Sequence, residues 1–393
     1  MSVTAAAGFA AAGVTAGIRA KGGPDLALVA TEDRRAVPTA AVFTQNRAAA
    51  APVQVSREHL RLTGGSAAAI VLNAGNANAA TGASGMATAL GACAAVAGAL
   101  GCGPHEVLVC STGLIGIPLE LAPFETAVPL AAQELEASNA AGAAAAEAIR
   151  TTDTHRKEAV ARAGGVTVGG MAKGAAMLAP NMATMLAVLT TDAHVDPATL
   201  QKLLEHAVAG SFHRITIDGC TSTNDTVIAM ASGRADSAGG VVDATVLGAL
   251  LDEVCLDLAA QMVGDAEGAT KIVTVWVRGA ASDEEAARAA RRIAESQLVK
   301  CSWYGKDPYW GRVVSEAGSA GVTLEMDRVS VAYGAVTVCR DGVEIEHDRT
   351  AVAAHMAQRH LEVVVDLGVG DGAHWLLTND LTHAYVDENM GTS

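Results

Sequence analysis

Aromatic residues are scarce in this sequence, where they make up 3% of the 393 residues although half of the chain is apolar. A core of this composition has to be built from Ala, Val, Leu and Ile, with close backbone approaches at many of the 41 glycines. The length exceeds the usual range of a single domain. We therefore expect two domains or two interlocked layers.

Basic residues are also in short supply. The chain has 27 Lys and Arg against 42 Asp and Glu, which gives a formal net charge of −15. No stripe of Lys and Arg with interleaved aromatics is present. An acidic chain of this kind repels polyanions, so nucleic acid and anionic membrane surfaces are not expected as partners.

Cysteine usage argues against a disulfide framework or a structural zinc site, because the seven cysteines are odd in number and never form Cys-x-x-Cys. We expect each cysteine to pack in the core as a small hydrophobe, and the protein to lie in a reducing cytoplasm.

No segment has the features of an export signal or a membrane span. Residues 4–18 lack the basic leading segment and the strongly apolar run of a signal peptide. The Ala-rich stretch 86–100 is too short and too weakly apolar to cross a bilayer. We expect a soluble protein.

Strand and helix patterns alternate along the chain. Gly169-Gly170 predicts a turn, Asp196-Pro197 a helix start, and Ser282 with Glu285 a capping box. Strands are predicted at residues 68–72, 106–110, 166–168, 184–191, 272–277, 329–333, 335–339 and 363–367. Helices are predicted at residues 87–100, 130–150, 197–209 and 283–296. These patterns indicate an α/β or α+β chain without a flexible tether.

The segment with the densest chemical signals is 169–186, a glycine-rich loop that runs into a strand opening with Thr184. If an N-to-O acyl shift cleaves the bond before Thr184, the new α-amine lies on the same residue as the hydroxyl. That amine, with a reference pKa of about 8, can act as general base for its own side chain. The residues alone favour an ordinary structural threonine at a loop-to-strand junction.

Further motifs occur in a fixed order around this segment, among them Gly8-Phe9, Ala41-Val42-Phe43-Thr44, Asn73-Ala74-Gly75-Asn76, Ser111-Thr112-Gly113, Thr151-Thr152-Asp153-Thr154, Thr221-Ser222-Thr223-Asn224-Asp225, Ala266-Glu267-Gly268 and Trp310-Gly311-Arg312. With this set the chain resembles, along nearly its whole length, the ornithine acetyltransferase family, the bifunctional glutamate N-acetyltransferases of arginine biosynthesis. The resemblance implies a self-processing fold of the N-terminal-nucleophile type, shared with certain aminopeptidases.

The resemblance also implies how the chain is processed. The Ala183–Thr184 bond would be cut, giving an α chain of residues 1–183 and a β chain of residues 184–393. Thr184 would then carry the acetyl group, with Thr112 and Gly113 as an oxyanion hole. Taken alone, the Ser-Thr-Gly sequence favours an ordinary turn.

Substrate contacts follow from the same resemblance. Thr151 would hydrogen-bond the substrate, Lys173 would pair with its carboxylate, and Glu267 would take the amine of the ornithine side chain. Without the resemblance, Lys173 reads as a solvated loop charge and Glu267 as an acid on a helix surface. Two C-terminal residues, Asn389 and Ser393, would close the site.

The implied reaction moves an acetyl group from N2-acetylornithine to glutamate by a ping-pong mechanism through an acetyl-Thr184 intermediate. The implied assembly is α2β2, a pair of αβ units. No bound cofactor or metal is expected, and acetyl-CoA is a further donor in some family members. Three departures from the family pattern, at Cys220, Cys301 and Tyr309, bear on substrate preference and rate. Two rival interpretations are a self-processing aminopeptidase or amidase, and a catalytically silent binding protein.

Overall fold

The computed structural model describes residues 2–177, 185–235 and 243–390. It divides into two compact units. Unit 1 contains most of the chain up to Met262, and unit 2 contains most of the remainder together with the segment Arg214–Gly219. Sheets and helices alternate in both, which confirms the predicted α/β class.

The described strands, in chain order, are β1 (Phe9–Val14), β2 (Leu26–Thr31), β3 (Val37–Phe43), β4 (Ser66–Ala67), β5 (Ala69–Asn76), β6 (Val107–Leu114), β7 (Lys157–Ala163), β8 (Val166–Lys173), β9 (Leu186–Thr191), β10 (Thr226–Ala231), β11 (Ile272–Ala280), β12 (Ser330–Tyr333), β13 (Val336–Arg340), β14 (Val343–Glu344), β15 (His360–Asp366) and β16 (Gly372–Asn379).

The described α-helices are α1 (Ala51–Leu62), α2 (Gly82–Leu100), α3 (Ala122–Gln133), α4 (Asn139–Ala148), α5 (Pro197–Gly210), α6 (Ala244–Gly264), α7 (Asp283–Glu295), α8 (Gln297–Tyr304), α9 (Trp310–Gly318), α10 (Arg349–Ala357) and α11 (His383–Asn389).

Unit 1 is built on two sheets. The first has the order β1-β2-β5-β6, and the second has the order β4-β3-β10-β9-β8-β7. Neighbours are antiparallel except for two parallel pairs, β5 with β6 and β9 with β10. One face of the first sheet packs against α1, α2 and α3, and its other face meets α4 and the second sheet in a shared core.

Glycine lies where two backbones approach closely in this core, because a larger residue would not fit between them. A Cβ on Gly13 of β1 would lie 2.1 Å from the carbonyl oxygen of Ala144, so helix α4 can rest directly on the strand only because that atom is missing. Close approach of this kind agrees with the predicted core of small residues.

Unit 2 has one sheet with the order β14-β13-β12-β15-β11-β16, in which β11 and β15 are parallel. Its core holds alternating valines from β11 and β15 together with the fully buried Trp303 and Tyr333. The predicted strands at 272–277 and 363–367 and the predicted hairpin around Gly334 are confirmed. The helix predicted from Ser282 is also confirmed, and the Ser282 side chain accepts from the N–H of Glu285.

The single helix predicted over 130–150 is wrong. Helix α3 ends at Gln133, and α4 begins at Asn139. Between them Glu136 exchanges two backbone hydrogen bonds with Ala11 of β1, each 3.1 Å long. The chain therefore leaves the helix to pair with a strand, and Ser138 caps the next helix.

The turn predicted at Gly169-Gly170 is wrong as well, because both glycines lie inside β8. The reversal before that strand uses Gly164 and Gly165, both with positive φ. Gly169 is required for packing, since a Cβ there would lie 2.2 Å from the carbonyl oxygen of Ser2.

Two further expectations need correction. Cys220 and Cys301 are exposed, so core packing was wrong for these two of the seven cysteines. Helix α2 begins at Gly82, earlier than predicted, and among the described residues it is the one helix whose length and apolarity would suffice to cross a membrane. Several of its side chains, including Ala92 and Val96, are nevertheless buried in unit 1.

Candidate functional site

The predicted oxyanion residues lie at the end of β6, where its register with β5 shifts at Gly75 and Asn76. Gly113 has φ +133°, and a Cβ on it would lie 2.2 Å from the carbonyl carbon of Gly75. Only glycine can therefore occupy this position. Irregularities of this kind often re-aim a strand beside a functional site.

Thr112 is buried at this bend, and within the described part of the chain its Oγ1 has no hydrogen-bond partner. Its neighbour Ser111 behaves differently, since its Oγ donates to Oδ1 of Asn73 at 2.6 Å. A buried hydroxyl that lacks a partner costs folding free energy and calls for a functional explanation. An oxyanion ligand would supply the missing acceptor.

Asn224 ties the loop before β10 to this bend. Its side-chain amide donates to the carbonyl oxygens of Ala77, at 2.6 Å, and Ser111, at 2.9 Å. Asn224 is not among the predicted site residues. Its place in the ordered motif 221–225 could have indicated a role. Its hydrogen bonds to Ala77 and Ser111 could not be predicted, because they join residues far apart in sequence.

Asp225 follows Asn224 and is fully buried. Its Oδ1 accepts the N–H of Met185 at 2.9 Å, and the carbonyl oxygen of Met185 accepts the N–H of Thr226 at 3.1 Å. Burial raises the pKa of Asp225 well above its usual range, against the opposing effect of the Met185 hydrogen bond. This residue was also missed as a site residue.

Lys173 is the last residue of β8 and is only 3% exposed, so it is not a solvated loop charge. A buried carboxylate, Asp153, organises its surroundings. Oδ1 of Asp153 accepts from the N–H of Gly174 and from Nζ of Lys157, each at 2.7 Å. Oδ2 accepts from the N–H of Thr151 at 3.1 Å.

Asp153 therefore brings two predicted substrate residues, Thr151 and Lys173, into one cluster. Burial alone would raise the pKa of Asp153, but the charges of Lys173 and Lys157 outweigh it and lower that pKa below its usual value. The carboxylate is thus ionised at neutral pH. The acid in the Thr-Thr-Asp-Thr motif was the signal that could have identified it.

In unit 2, the predicted residues Glu267 and Asn389 are in contact. Glu267 is buried in the loop that follows α6, and its Oε2 accepts from Nδ2 of Asn389 at 2.6 Å. Helix α11, which carries Asn389, rests on Gly268, where a Cβ would lie 2.6 Å from the backbone nitrogen of Tyr385. Thr382 caps this helix and donates to the carbonyl oxygen of Gly268 at 2.8 Å.

Three predicted residues lie outside the described residues: Ala183, Thr184 and Ser393. The remaining ones fall in two sets, with Thr112, Gly113, Thr151 and Lys173 in unit 1 and Glu267 and Asn389 in unit 2. Among the described residues there is no cluster of three or more His, Cys, Asp and Glu that could hold a metal ion.

Comparisons with known proteins show the family to which this chain is similar. A family model described as the ArgJ family matches residues 10–391. The arginine biosynthesis bifunctional protein ArgJ of Thermobifida fusca is 47% identical over 397 residues, which cover all of both chains. The protein of the same name from Streptomyces coelicolor is 46% identical over 394 residues, again covering all of both chains. A crystal structure of argJ from Bacillus halodurans is 35% identical and covers 51% of this chain and 96% of its own, with a TM-score of 0.48.

Proposed function

This chain belongs to the ArgJ family, and from that premise we propose that it transfers the acetyl group of N2-acetylornithine to glutamate through an acetyl ester on Thr184. The observation that carries the proposal is the 47% identity to a curated ArgJ protein along the full length of both chains. The curated relatives are named arginine biosynthesis bifunctional proteins, and the chain is accordingly an enzyme of that pathway.

The first step of the mechanism is self-cleavage. Oγ of Thr184 attacks the carbonyl carbon of Ala183, the Ala183–Thr184 amide becomes an ester, and water hydrolyses it. Residues 1–183 and 184–393 are then two chains, and Thr184 has both a free α-amine and a free hydroxyl. The amine acts as general base for the hydroxyl beside it.

Transfer follows in two half-reactions. Thr184 attacks the acetyl carbonyl of N2-acetylornithine, and ornithine leaves with the proton that the hydroxyl gave up. Glutamate then attacks the acetyl ester and leaves as N-acetylglutamate. Thr112 and Gly113 stabilise the negative charge that develops on the carbonyl oxygen. The Thr112 hydroxyl, which has no partner among the described residues, and the backbone bend at Gly113 support this role.

Two buried charges support recognition of an amino acid. Lys173, positioned by Asp153 and grouped with Thr151, takes the substrate carboxylate. Glu267, held by Asn389, takes the side-chain amine of ornithine, and Ser393 completes the site. A buried lysine suits a carboxylate and a buried glutamate suits an amine, and N2-acetylornithine carries both of these groups.

The test is a denaturing gel combined with an acetyl-transfer assay. The purified protein should run as two chains, incorporate label from acetyl-labelled N2-acetylornithine into the 184–393 chain, and release the label on addition of glutamate. Thr184→Ala should stay a single chain and take up no label. Cleavage or labelling of that variant would refute the mechanism.

The same assay separates the rivals. An aminopeptidase or amidase would release acetate at a rate independent of glutamate, because water would be its acceptor. A silent binding protein would give one unlabelled band.

We further propose acetyl-CoA as a second acetyl donor that is consumed as a substrate and not held as a cofactor. The relatives' name, bifunctional, supports this extension. N-acetylglutamate formation from acetyl-CoA and glutamate, with acetylornithine omitted, tests it directly, and absence of product would refute it.

We also propose that the enzyme works in the cytoplasm as α2β2. Its acidic, Ala- and Gly-rich composition is compatible with close packing of subunits. Light scattering of the cleaved protein should give the mass of two complete chains, and the mass of one would contradict the assembly.

A further inference from the structure

Asp225 and Met185 lie side by side just before two adjacent central strands of the second sheet of unit 1. Met185 immediately precedes β9 and Asp225 immediately precedes β10, and these two strands run parallel with Leu186 opposite Thr226. Met185 is the residue that follows Thr184, so the nitrogen held by Asp225 is covalently bonded to the carbonyl carbon of Thr184.

The two oxygens of the Asp225 carboxyl have different environments. Oδ1 accepts the Met185 N–H at 2.9 Å, whereas Oδ2 is buried and has no hydrogen-bond partner among the described residues. An ionised carboxylate with one oxygen unsatisfied and no exposure to water is costly. Burial accordingly raises the pKa of Asp225, although hydrogen bonds from Met185 and Ser222 and the charge of Lys173 act in the opposite direction. Burial therefore favours the protonated form of this carboxyl.

We propose that Asp225 holds the start of β9 through Oδ1 and exchanges the protons of self-cleavage through Oδ2, an inference that rests on the proposed cleavage before Thr184. The assignment depends on its contact with Met185, on its burial and on its unsatisfied oxygen.

The proton balance of the acyl shift requires such a group. As the bond from Thr184 Oγ to the Ala183 carbonyl carbon forms, Oγ loses one proton. As the Ala183–Thr184 C–N bond breaks, the leaving nitrogen gains one proton. A protonated Asp225 can give its proton to the nitrogen and take the one from Oγ, so the carboxyl ends unchanged and no further reactant is needed.

The test measures the rate of chain cleavage in newly synthesised full-length protein. Asp225→Asn keeps an acceptor oxygen for Met185 but replaces the proton-carrying group with an amide. We expect its cleavage to be about 100-fold slower than in the unsubstituted protein, the usual effect of losing a general acid–base group. Cleavage within about twofold of the unsubstituted rate would overturn the inference, since loss of an acid–base group exceeds that.

Asp192 provides the matched control. It is buried directly after the other end of β9, and its Oδ1 accepts the N–H of Thr167 at 2.8 Å. Asp192→Asn therefore makes the same chemical change in the same sheet, away from Thr184, and should cleave at the unsubstituted rate. If the unsubstituted protein and Asp192→Asn both remain single chains, the proposed function itself fails. If the unsubstituted protein, Asp192→Asn and Asp225→Asn all cleave at the same rate, this inference alone fails.

Folding of Asp225→Asn is judged by comparing its melting temperature with that of uncleaved Thr184→Ala. If Asp225→Asn does not fold, a second variant tests the inference. Asp225→Ala leaves a space in which formate or formamide fits. Formate, which can carry a proton, should restore cleavage, while formamide of the same size should not. Equal behaviour with the two additives would overturn the proton-exchange role.

Discussion

Nδ2 of Asn389 donates to Oε2 of the buried Glu267 across 2.6 Å, which fixes the orientation of that carboxylate from the last turn of helix α11. This hydrogen bond holds the side chain of Glu267. A second one, from Oγ1 of Thr382 to the carbonyl oxygen of Gly268, holds the backbone of the loop that carries Glu267. The C-terminal helix thus contributes to the acidic end of the proposed site in two ways. Each contact can be removed alone.

Replacing Asn389 by Ala should weaken substrate binding more than chemistry. The hydrogen bond to a carboxylate on a partly exposed helix is worth about 1 kcal/mol, so the KM for N2-acetylornithine should rise roughly fivefold with kcat nearly unchanged. Val386→Ala, on the same helix and 54% exposed, is the control and should leave both constants alone. An unchanged KM in Asn389→Ala would show that the contact does not serve binding.

The strands were predictable because the apolar pattern that marks a buried strand lies within a short stretch of sequence. Buried strands need runs or alternations of apolar residues, and residues 272–277 and 363–367 show them directly. The split of the helix predicted over 130–150 was not predictable, because it depends on pairing between Glu136 and Ala11.

The same distinction holds for the site. Lys173 and Glu267 were predicted as site residues through the resemblance to a family, and their burial could not be predicted from the residues around them. Asp225 and Asn224 were missed because their partners, Met185 and Ser111, are distant in sequence. Contacts of this kind become visible only when the fold brings together strand ends that are distant in sequence.

Asp153 should stabilise the fold in a pH-dependent manner. Asp153→Asn leaves Lys157 buried without its ionised partner, which should cost about 3 kcal/mol of unfolding free energy at pH 7. Because the folded pKa of Asp153 is lowered, its contribution is fully present above the unfolded value of about 3.9. The difference between the two proteins should therefore shrink as the pH falls below about 4.

Urea unfolding at a series of pH values measures this difference. Glu58→Gln is the control, since it removes a carboxylate from an exposed pair with Arg61 and should change stability little. A stability difference for Asp153→Asn that stays constant down to acid unfolding would contradict the assigned role.

Lys300 should also make stability rise with pH, but in a higher pH range than Asp153. It is buried, and its Nζ donates to Oγ1 of Thr378 and to two oxygens of Asn379. Burial lowers its pKa to about 7, although nearby acids oppose the shift. Between that value and the unfolded value of about 10.4, the unfolded chain binds more protons, so stability rises with pH.

Relative to Lys300→Met, the unsubstituted protein should therefore gain about 1 kcal/mol per pH unit between pH 8 and about 9.5. Equilibrium unfolding in urea across this range measures the gain. Lys202→Met, which removes an exposed lysine from α5, should show no such slope. A flat difference for Lys300→Met would mean that the lysine stays charged when buried.

Replacing Thr112 by Val should lower catalysis without lowering stability. Its Oγ1 has no partner among the described residues, so Thr112→Val removes a hydroxyl that contributes no hydrogen bond there and keeps the shape of the side chain. Unfolding free energy should stay the same or rise. Acetyl transfer, in contrast, should fall about 100-fold in kcat if the hydroxyl meets the oxyanion.

Ser111→Ala is the reciprocal control for this prediction. Its Oγ donates to Asn73 at 2.6 Å, so the substitution leaves a buried acceptor unsatisfied and should cost about 1–3 kcal/mol of stability. The Ser111 side chain is already committed to Asn73, so kcat of the folded variant should change far less than in Thr112→Val. The two neighbours on β6 are thus expected to show opposite patterns in unfolding and turnover measurements. A Thr112→Val protein that is destabilised yet fully active would assign its hydroxyl to the fold and leave the backbone of Gly113 to hold the oxyanion.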